Sequence, residues 1–477
     1  MKYLASLSLA CLALVAPLSA QKANTAASPL QRGLDSIQAQ NVRSDIFFLA
    51  DDEMHGRDTP SPEQRIAARF LRARLMRYGF QPGYQDSYLY PYPLEQWQVV
   101  VPECNVIVQR GESRFALQLG QDYYLAPSAR SERDVQQRAV VYAGDTKDLR
   151  DLEADIEGKW VLTSGRRPSG SVQRDLFGRG AVGILVLPED DAEVSVAEAQ
   201  GKFFERMKDP RPGKTPEAGQ PGLLFLTEQS AGHFKPLIKD AKPGDLIDVT
   251  VSERCAIVSD PIMLENVVGI WPGSDPKLRN DVIVLSAHYD HVGMQGGQIH
   301  NGADDNGSGS TGMLALVEAL ANYGPMRRTI MIQWVSGEEK GLWGSKAWTE
   351  NPWLPEGMQV VCDVNIDMIG RNAPDKLNIT PTKDHAEYSW LTKVAEKHCA
   401  EEGFPKLGNA DDYYHRSDHY NYRKNLNVPV IFLFSDVHED YHKPTDDPEK
   451  IDCDKIARVA RLVLRVLDDL QGDELGS

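Results

Sequence analysis

Apolar residues are laid out differently in the two parts of this chain. From Glu265 onward, near-continuous apolar runs cover Asn266–Ile270, Val282–Ser286, Thr329–Val335, Val364–Met368, Leu377–Ile379 and Val428–Phe434. Between them, Gly312–Tyr323, Ser389–Glu401 and Cys453–Leu470 repeat their apolar residues at helical spacing. Runs without polar interruption suit strands covered on both faces. Their alternation with helices predicts an α/β domain, a mixed, largely parallel central sheet flanked by helices.

Nearer the N-terminus, Val42–Leu49 and Ser61–Gly79 read as helices. The second opens on Ser61-Pro62-Glu63-Gln64, a capping serine followed by proline at the first helical position, and Gly79 closes it. The polar stretch Asp51–Ser61 between them reads as a surface loop, with His55 in a structural role. From about Asn105 the pattern changes to short β-like runs: Val106–Val108, Ala139–Tyr142, Trp160–Leu162, Ile184–Leu187, Leu223–Leu226 and Ile247–Val251. One helix, Ser171–Gly178, and a long polar tract, Glu189–Gln220, lie among them. This predicts an inserted β-rich domain at 105–258, interrupting an α/β domain made of 30–104 and 259–472.

Composition narrows the partners. A 477-residue chain with 41% hydrophobic residues supports a sizeable core, and a net charge of −17 disfavours nucleic acid and anionic membranes. Lys2, the apolar run Leu4–Val15 and the small residues Pro17-Leu18-Ser19-Ala20 read as a signal peptide (1–20) cleaved near Ala20, so the mature protein is expected to be exported. No later run approaches the ~18 apolar residues of a membrane span. Beyond the leader stand Cys104, Cys255, Cys362, Cys399 and Cys453, without metal-site spacing. An insert must leave and return at nearby points, which makes a Cys104–Cys255 bridge geometrically reasonable. Five buried, unpaired thiols are the competing reading.

The chemistry gathers at the strand ends. His288 and Asp290 follow one apolar run, Asp304 and Asp305 precede the next helix, and Glu338 and Glu339 follow Thr329–Ser336. Asp367 ends another strand, and His442 follows Val428–Ser435. In open α/β sheets this edge is where ligands bind. Five carboxylates crowded together without a cation are electrostatically costly, whereas two zinc-like ions need one bridging carboxylate and further terminal ligands. On that chemistry His288 and Asp367 hold one ion, Glu339 and His442 the other, and Asp304 bridges. Glu338 is left beside a ligand as the general base, and Asp290 can orient the His288 imidazole.

The segments H-Y-D-H, N-G-A-D-D-N-G-S-G, S-G-E-E-K-G-L-W-G-S, N-I-D-M-I-G, S-D-H-Y and D-Y-H-K-P-T-D resemble, in type and order, the zinc-dependent M28 exopeptidases related to secreted bacterial leucyl aminopeptidases. The resemblance implies two Zn2+ per chain on the ligands already named, and a cis Asp304–Asp305 peptide beside the site. Aligned on Ser417-Asp418-His419, it puts Tyr414 where the family has an oxyanion-stabilising tyrosine. The cysteines that flank that tyrosine in some relatives are missing here. The insert, with D-I-E-G-K-W-V-L and G-R-G-A-V-G-I-L-V-L, resembles a protease-associated (PA) domain.

The expected activity is removal of N-terminal residues from peptides with a free N-terminus, by attack of metal-activated water with Glu338 as base. Three readings compete. A carboxypeptidase of the same fold would present Arg371 or Arg416 to a substrate carboxylate. A glutaminyl cyclase would use one zinc, which the full ligand set disfavours. A non-catalytic binding protein would be expected to lack ligands that are all present here. His291 reads as a loop residue. His300, Asp411, Asp412, Arg416, His419 and His438 lie near the motifs as candidates to line the cleft. Side-chain preference and oligomeric state are not readable.

Overall fold

The computed structural model describes residues 27–126, 130–147, 149–188, 211–212 and 215–475. The signal-peptide reading and most of the polar tract Glu189–Gln220 lie outside the described residues. The chain divides into two compact units, residues 1–90 with 265–477, and Pro91–Leu264.

The first unit is built on a sheet of β1 (Gln81–Pro82), β2 (Ile262–Trp271), β3 (Asp281–His288), β4 (Thr329–Val335), β5 (Gln359–Ile366), β6 (Asn378–Thr380), β7 (Gly408–Asn409) and β8 (Val430–Phe434). Their spatial order is β1-β2-β4-β3-β5-β8-β6-β7. The central strands β4, β3, β5 and β8 run parallel, while β2 and β6 pair antiparallel at the flanks. Every residue of β4 and β8 is buried, as runs apolar on both faces require.

Helices α1 (Pro29–Ser36), α2 (Ala39–Leu49), α3 (Pro62–Arg77), α4 (Gly309–Tyr323), α5 (Trp343–Glu350), α6 (Trp390–His398), α7 (His419–Leu426) and α8 (Cys453–Asp469) accompany the sheet. Helix α3 starts where its capping signal stands, with Ser61 Oγ accepting the Gln64 N–H at 2.9 Å. In α8, Ile456, Val459, Ala460, Val463 and Leu467 form one buried stripe, and α4 is buried along nearly its whole length.

The second unit contains an eight-stranded sheet that includes all six runs read as strands in the insert, and a helix at Gly170–Gly178. Its limits are wider than 105–258: strands Gln96–Val99 and Ile257–Ser259 pair with each other inside it. A buried Arg133 grips the Glu253 carboxylate through two hydrogen bonds of 2.9 and 2.6 Å. Asn105 pairs with Arg254, which brings Cys104 and Cys255 to neighbouring register positions, and Cys104 Sγ accepts the Ala256 N–H at 3.3 Å. Of the two readings, the bridge is not formed: among the described residues all five cysteines are buried free thiols.

Candidate metal centre at the strand ends

The parallel strands of the first unit deliver their polar residues to one edge. His288 is the last residue of β3, Glu338 and Glu339 follow β4, Asp367 follows β5, and His442 lies in the loop after β8. The turn Ala303–Ser308 brings Asp304 and Asp305 to the same edge just before α4. Its approach depends on Gly302 at φ 58°, where a Cβ would sit 2.3 Å from Asp305 O and from His291 Cγ.

The side chains converge on Asp305. His288 Nε2 stands 3.5 Å from Asp305 Oδ1 and 3.3 Å from Asp367 Oδ1. His442 Nε2 stands 3.0 Å from Asp305 Oδ2 and 3.2 Å from Glu339 Oε2. His288, Asp305 and Asp367 form one group able to hold a cation; His291, Asp305 and Glu339 form a second. The Asp305 carboxylate therefore lies between two positions, the place assigned to Asp304 from sequence.

Asp304 is turned the other way. Its Oδ1 accepts the Gly370 N–H at 2.6 Å, and its Oδ2 faces His438 Nε2 at 3.3 Å. The cis peptide is correspondingly one step along, at Asp305–Asn306 rather than Asp304–Asp305. His291, read as a loop residue, is fully buried with Nδ1 2.8 Å from Glu339 Oε1.

Asp290 does not orient His288 mainly through its carboxylate. His288 Nδ1 is 3.2 Å from the Asp290 backbone carbonyl and 3.8 Å from Oδ1, while Oδ1 accepts the Glu338 backbone N–H at 3.2 Å. Asp290 thus fixes the peptide that carries Glu338.

Tyr414 is not at the site either. The turn Asp411–Tyr413 points its neighbour Tyr413 into the pocket formed with Asp305, Glu338, Asp367 and Met368. Tyr414 packs against His385 and His419, and burial pushes its phenol up to about 12. Of the other residues near the motifs, Arg416 lines this pocket. His419 stacks on Phe432, and Asp411 is spent on Thr380 and Thr382.

Three residues that hold the site were not singled out. Arg57, in the stretch read as a surface loop, is 1% exposed and donates to the carbonyls of Leu49, Tyr289, Asn301 and Gly302. Burial lowers its guanidinium to about 10 against the pull of Asp290, Asp446 and Asp305. Asp446, the last residue of the D-Y-H-K-P-T-D segment, accepts the backbone N–H of Asp304 at 3.0 Å and of Asp305 at 3.2 Å. Ser417 Oγ donates to Asp367 Oδ2 at 2.8 Å.

The electrostatics are those of charges packed together. Burial raises Glu338 well above the usual carboxylate range, aided by Asp418, Glu339 and Asp367. Burial works in the same direction on Glu339, but His291 and His442 overrule it and hold that carboxyl low. His442, which burial alone would depress, is lifted to about 10 by Asp305 and Glu339. Buried atoms His288 Nε2, Asp367 Oδ1, Glu339 Oε1 and His442 Nε2 face inward without hydrogen bonds. Imidazole nitrogens and carboxylate oxygens left so are the donor set of a zinc-type ion, and the site fits one.

Known proteins agree with this architecture. The family model described as Peptidase family M28 matches residues 266–467. "Leucine aminopeptidase 2" of Trichophyton rubrum is 32% identical over 306 residues, 62% of this chain and 54% of that protein. "Probable leucine aminopeptidase" of Arthroderma otae is 30% identical over 209 residues, 42% of this chain and 56% of that protein. The chain thus spans about half the length of the curated relatives it matches. Among solved structures, an aminopeptidase from Aneurinibacillus sp. strain AM-1 shares the fold with a TM-score of 0.52 at 20% identity, over 92% of this chain and 95% of that one. Residues 266–467, the segment that matches the Peptidase family M28 model, hold every histidine and carboxylate of the cluster.

Proposed function

We propose that this protein is an exported aminopeptidase that holds two zinc ions and removes N-terminal residues from peptides. The observation that carries the reading is the position of Asp305, whose oxygens face His288 on one side and His442 on the other. His288, Asp305 and Asp367 would hold one ion; Asp305, Glu339 and His442 would hold the other. Ions so held supply Lewis acidity, polarising a carbonyl and acidifying water.

The remaining work falls to the chain. Glu338, its backbone fixed by Asp290, takes the proton of the attacking water and returns it to the leaving amine. Met368, Phe432, Phe434 and Val437 offer the first side chain an apolar wall. The names of the leucine aminopeptidase relatives support this assignment. Of the two arginines that a carboxypeptidase could use, Arg371 is committed to Asp440 at 2.8 Å. We read the Pro91–Leu264 unit as PA-like, in keeping with its sequence resemblance.

The test is mass spectrometry of one Leu-initiated peptide, free and N-acetylated, incubated with zinc-loaded protein. Loss of N-terminal residues from the free form only, abolished by a chelator, is the expected result. Trimming of both forms from the C-terminus would replace the reading with carboxypeptidase.

A further inference from the structure

The pocket that opens on Glu338 holds one charge that the proposed chemistry does not use. Arg416 lines it together with Asp305, Glu338 and Asp367, yet ion-pairs with none of them. Its Nη2 donates to the Tyr441 hydroxyl at 3.3 Å, and its guanidinium lies 5.2 Å over the Tyr413 ring. Tyr441 is itself stacked on His442, with ring centroids 3.9 Å apart. One neutral hydrogen bond and one aromatic face orient the guanidinium without neutralising it, and Arg416 is exposed, so most of its five N–H donors are left to solvent and open to an incoming ligand.

An arginine placed to balance the site's own carboxylates would pair with them, as Arg371 pairs with Asp440. Arg416 is instead braced by aromatic groups at the wall of the pocket. Its planar fork is matched to a carboxylate arriving from outside.

Resting on the aminopeptidase reading, we propose that Arg416 recognises a carboxylate of the substrate and makes this enzyme selective for peptides that present one near the scissile bond. Two sources share that chemistry: the C-terminus of a dipeptide, one residue beyond the bond, and the side chain of an acidic N-terminal residue.

The experiment is steady-state kinetics of the zinc-loaded wild type and Arg416→Gln on two matched pairs. Leu-Leu against Leu-Leu-amide isolates the C-terminal carboxylate; Glu-Leu-amide against Gln-Leu-amide isolates the side chain. In the variant, the kcat/KM ratio within one pair is expected to fall roughly ten- to hundredfold, chiefly through KM, as loss of a charged hydrogen bond implies. A fall confined to the first pair assigns Arg416 to the dipeptide C-terminus, and a fall confined to the second assigns it to the side chain. Arg416→Lys, which keeps the charge but loses the fork, is expected to restore part of the ratio. Both ratios unchanged in Arg416→Gln would overturn the proposal. Absence of wild-type turnover on all four substrates would instead overturn the aminopeptidase reading beneath it.

Discussion

His291 Nδ1 lies 2.8 Å from Glu339 Oε1, nearer than His442 Nε2 comes to the other oxygen of that carboxylate, at 3.2 Å. Two imidazoles therefore compete for one ligand position. Only His442 also comes close to Asp305, at 3.0 Å against 3.8 Å for His291. His442→Ala should lower the zinc content, measured by elemental analysis after dialysis, from two ions per chain to one. His291→Ala should keep both ions and weaken the second roughly 10- to 100-fold, as loss of a supporting group does. The reverse pattern would make His291 the ligand.

Asp304 and Asp305 are adjacent but serve different ends, and a pair of variants separates them. Asp305→Ala removes the oxygens that face both histidines, so it should abolish retention of both ions. Asp304→Asn keeps the acceptor for the Gly370 N–H and should retain both. Its cost should be thermal stability, about 1–3 kcal/mol for disturbing a buried polar contact with His438. Equal zinc loss in both variants would place the bridge on neither residue alone.

What could be read from the sequence tracks burial. The run Val282–Leu285 announced its strand because a strand covered on both faces has no reason to carry polar residues. Strand Ser113–Gln118 of the second unit gave no such signal, since five of its six residues are exposed and Leu117 alone turns inward. At the site, which residues gather was legible from their shared position after apolar runs. Which of two neighbours points inward was not: Asp304 against Asp305 and Tyr414 against Tyr413 differ by one step of backbone, fixed by turns with no periodicity. Arg57 lay further out of reach, because its partners are carbonyls up to 245 positions away, a relationship that no local pattern records.

Glu338 lines the pocket without belonging to either group of prospective ligands. Glu338→Gln keeps the shape of the side chain and removes its ability to accept and return a proton. Zinc content should stay at the wild-type value while kcat falls roughly 10²- to 10⁴-fold, the usual contribution of a general base. Near wild-type turnover in a variant with full zinc would remove Glu338 from the mechanism.

Lys455 offers a test of the fold behind the site. It is fully buried in α8 and donates to the carbonyls of Arg371 and Ala373, the loop that follows Asp367. Burial lowers its ammonium from 10.5 to about 8, against the pull of Asp304 and Asp452. Between those values the unfolded chain carries the proton and the folded one does not, so stability rises with pH across the window. Below about 8 both states are protonated and the contribution is constant. Compared with Lys455→Met, which has no proton to lose, the wild type should gain up to about 3 kcal/mol in unfolding free energy between pH 8 and 10.5, as the shift converts. Denaturant unfolding of both proteins at several pH values measures the difference. A constant gap would mean that Lys455 keeps its proton throughout, held by the carbonyls and by Asp304.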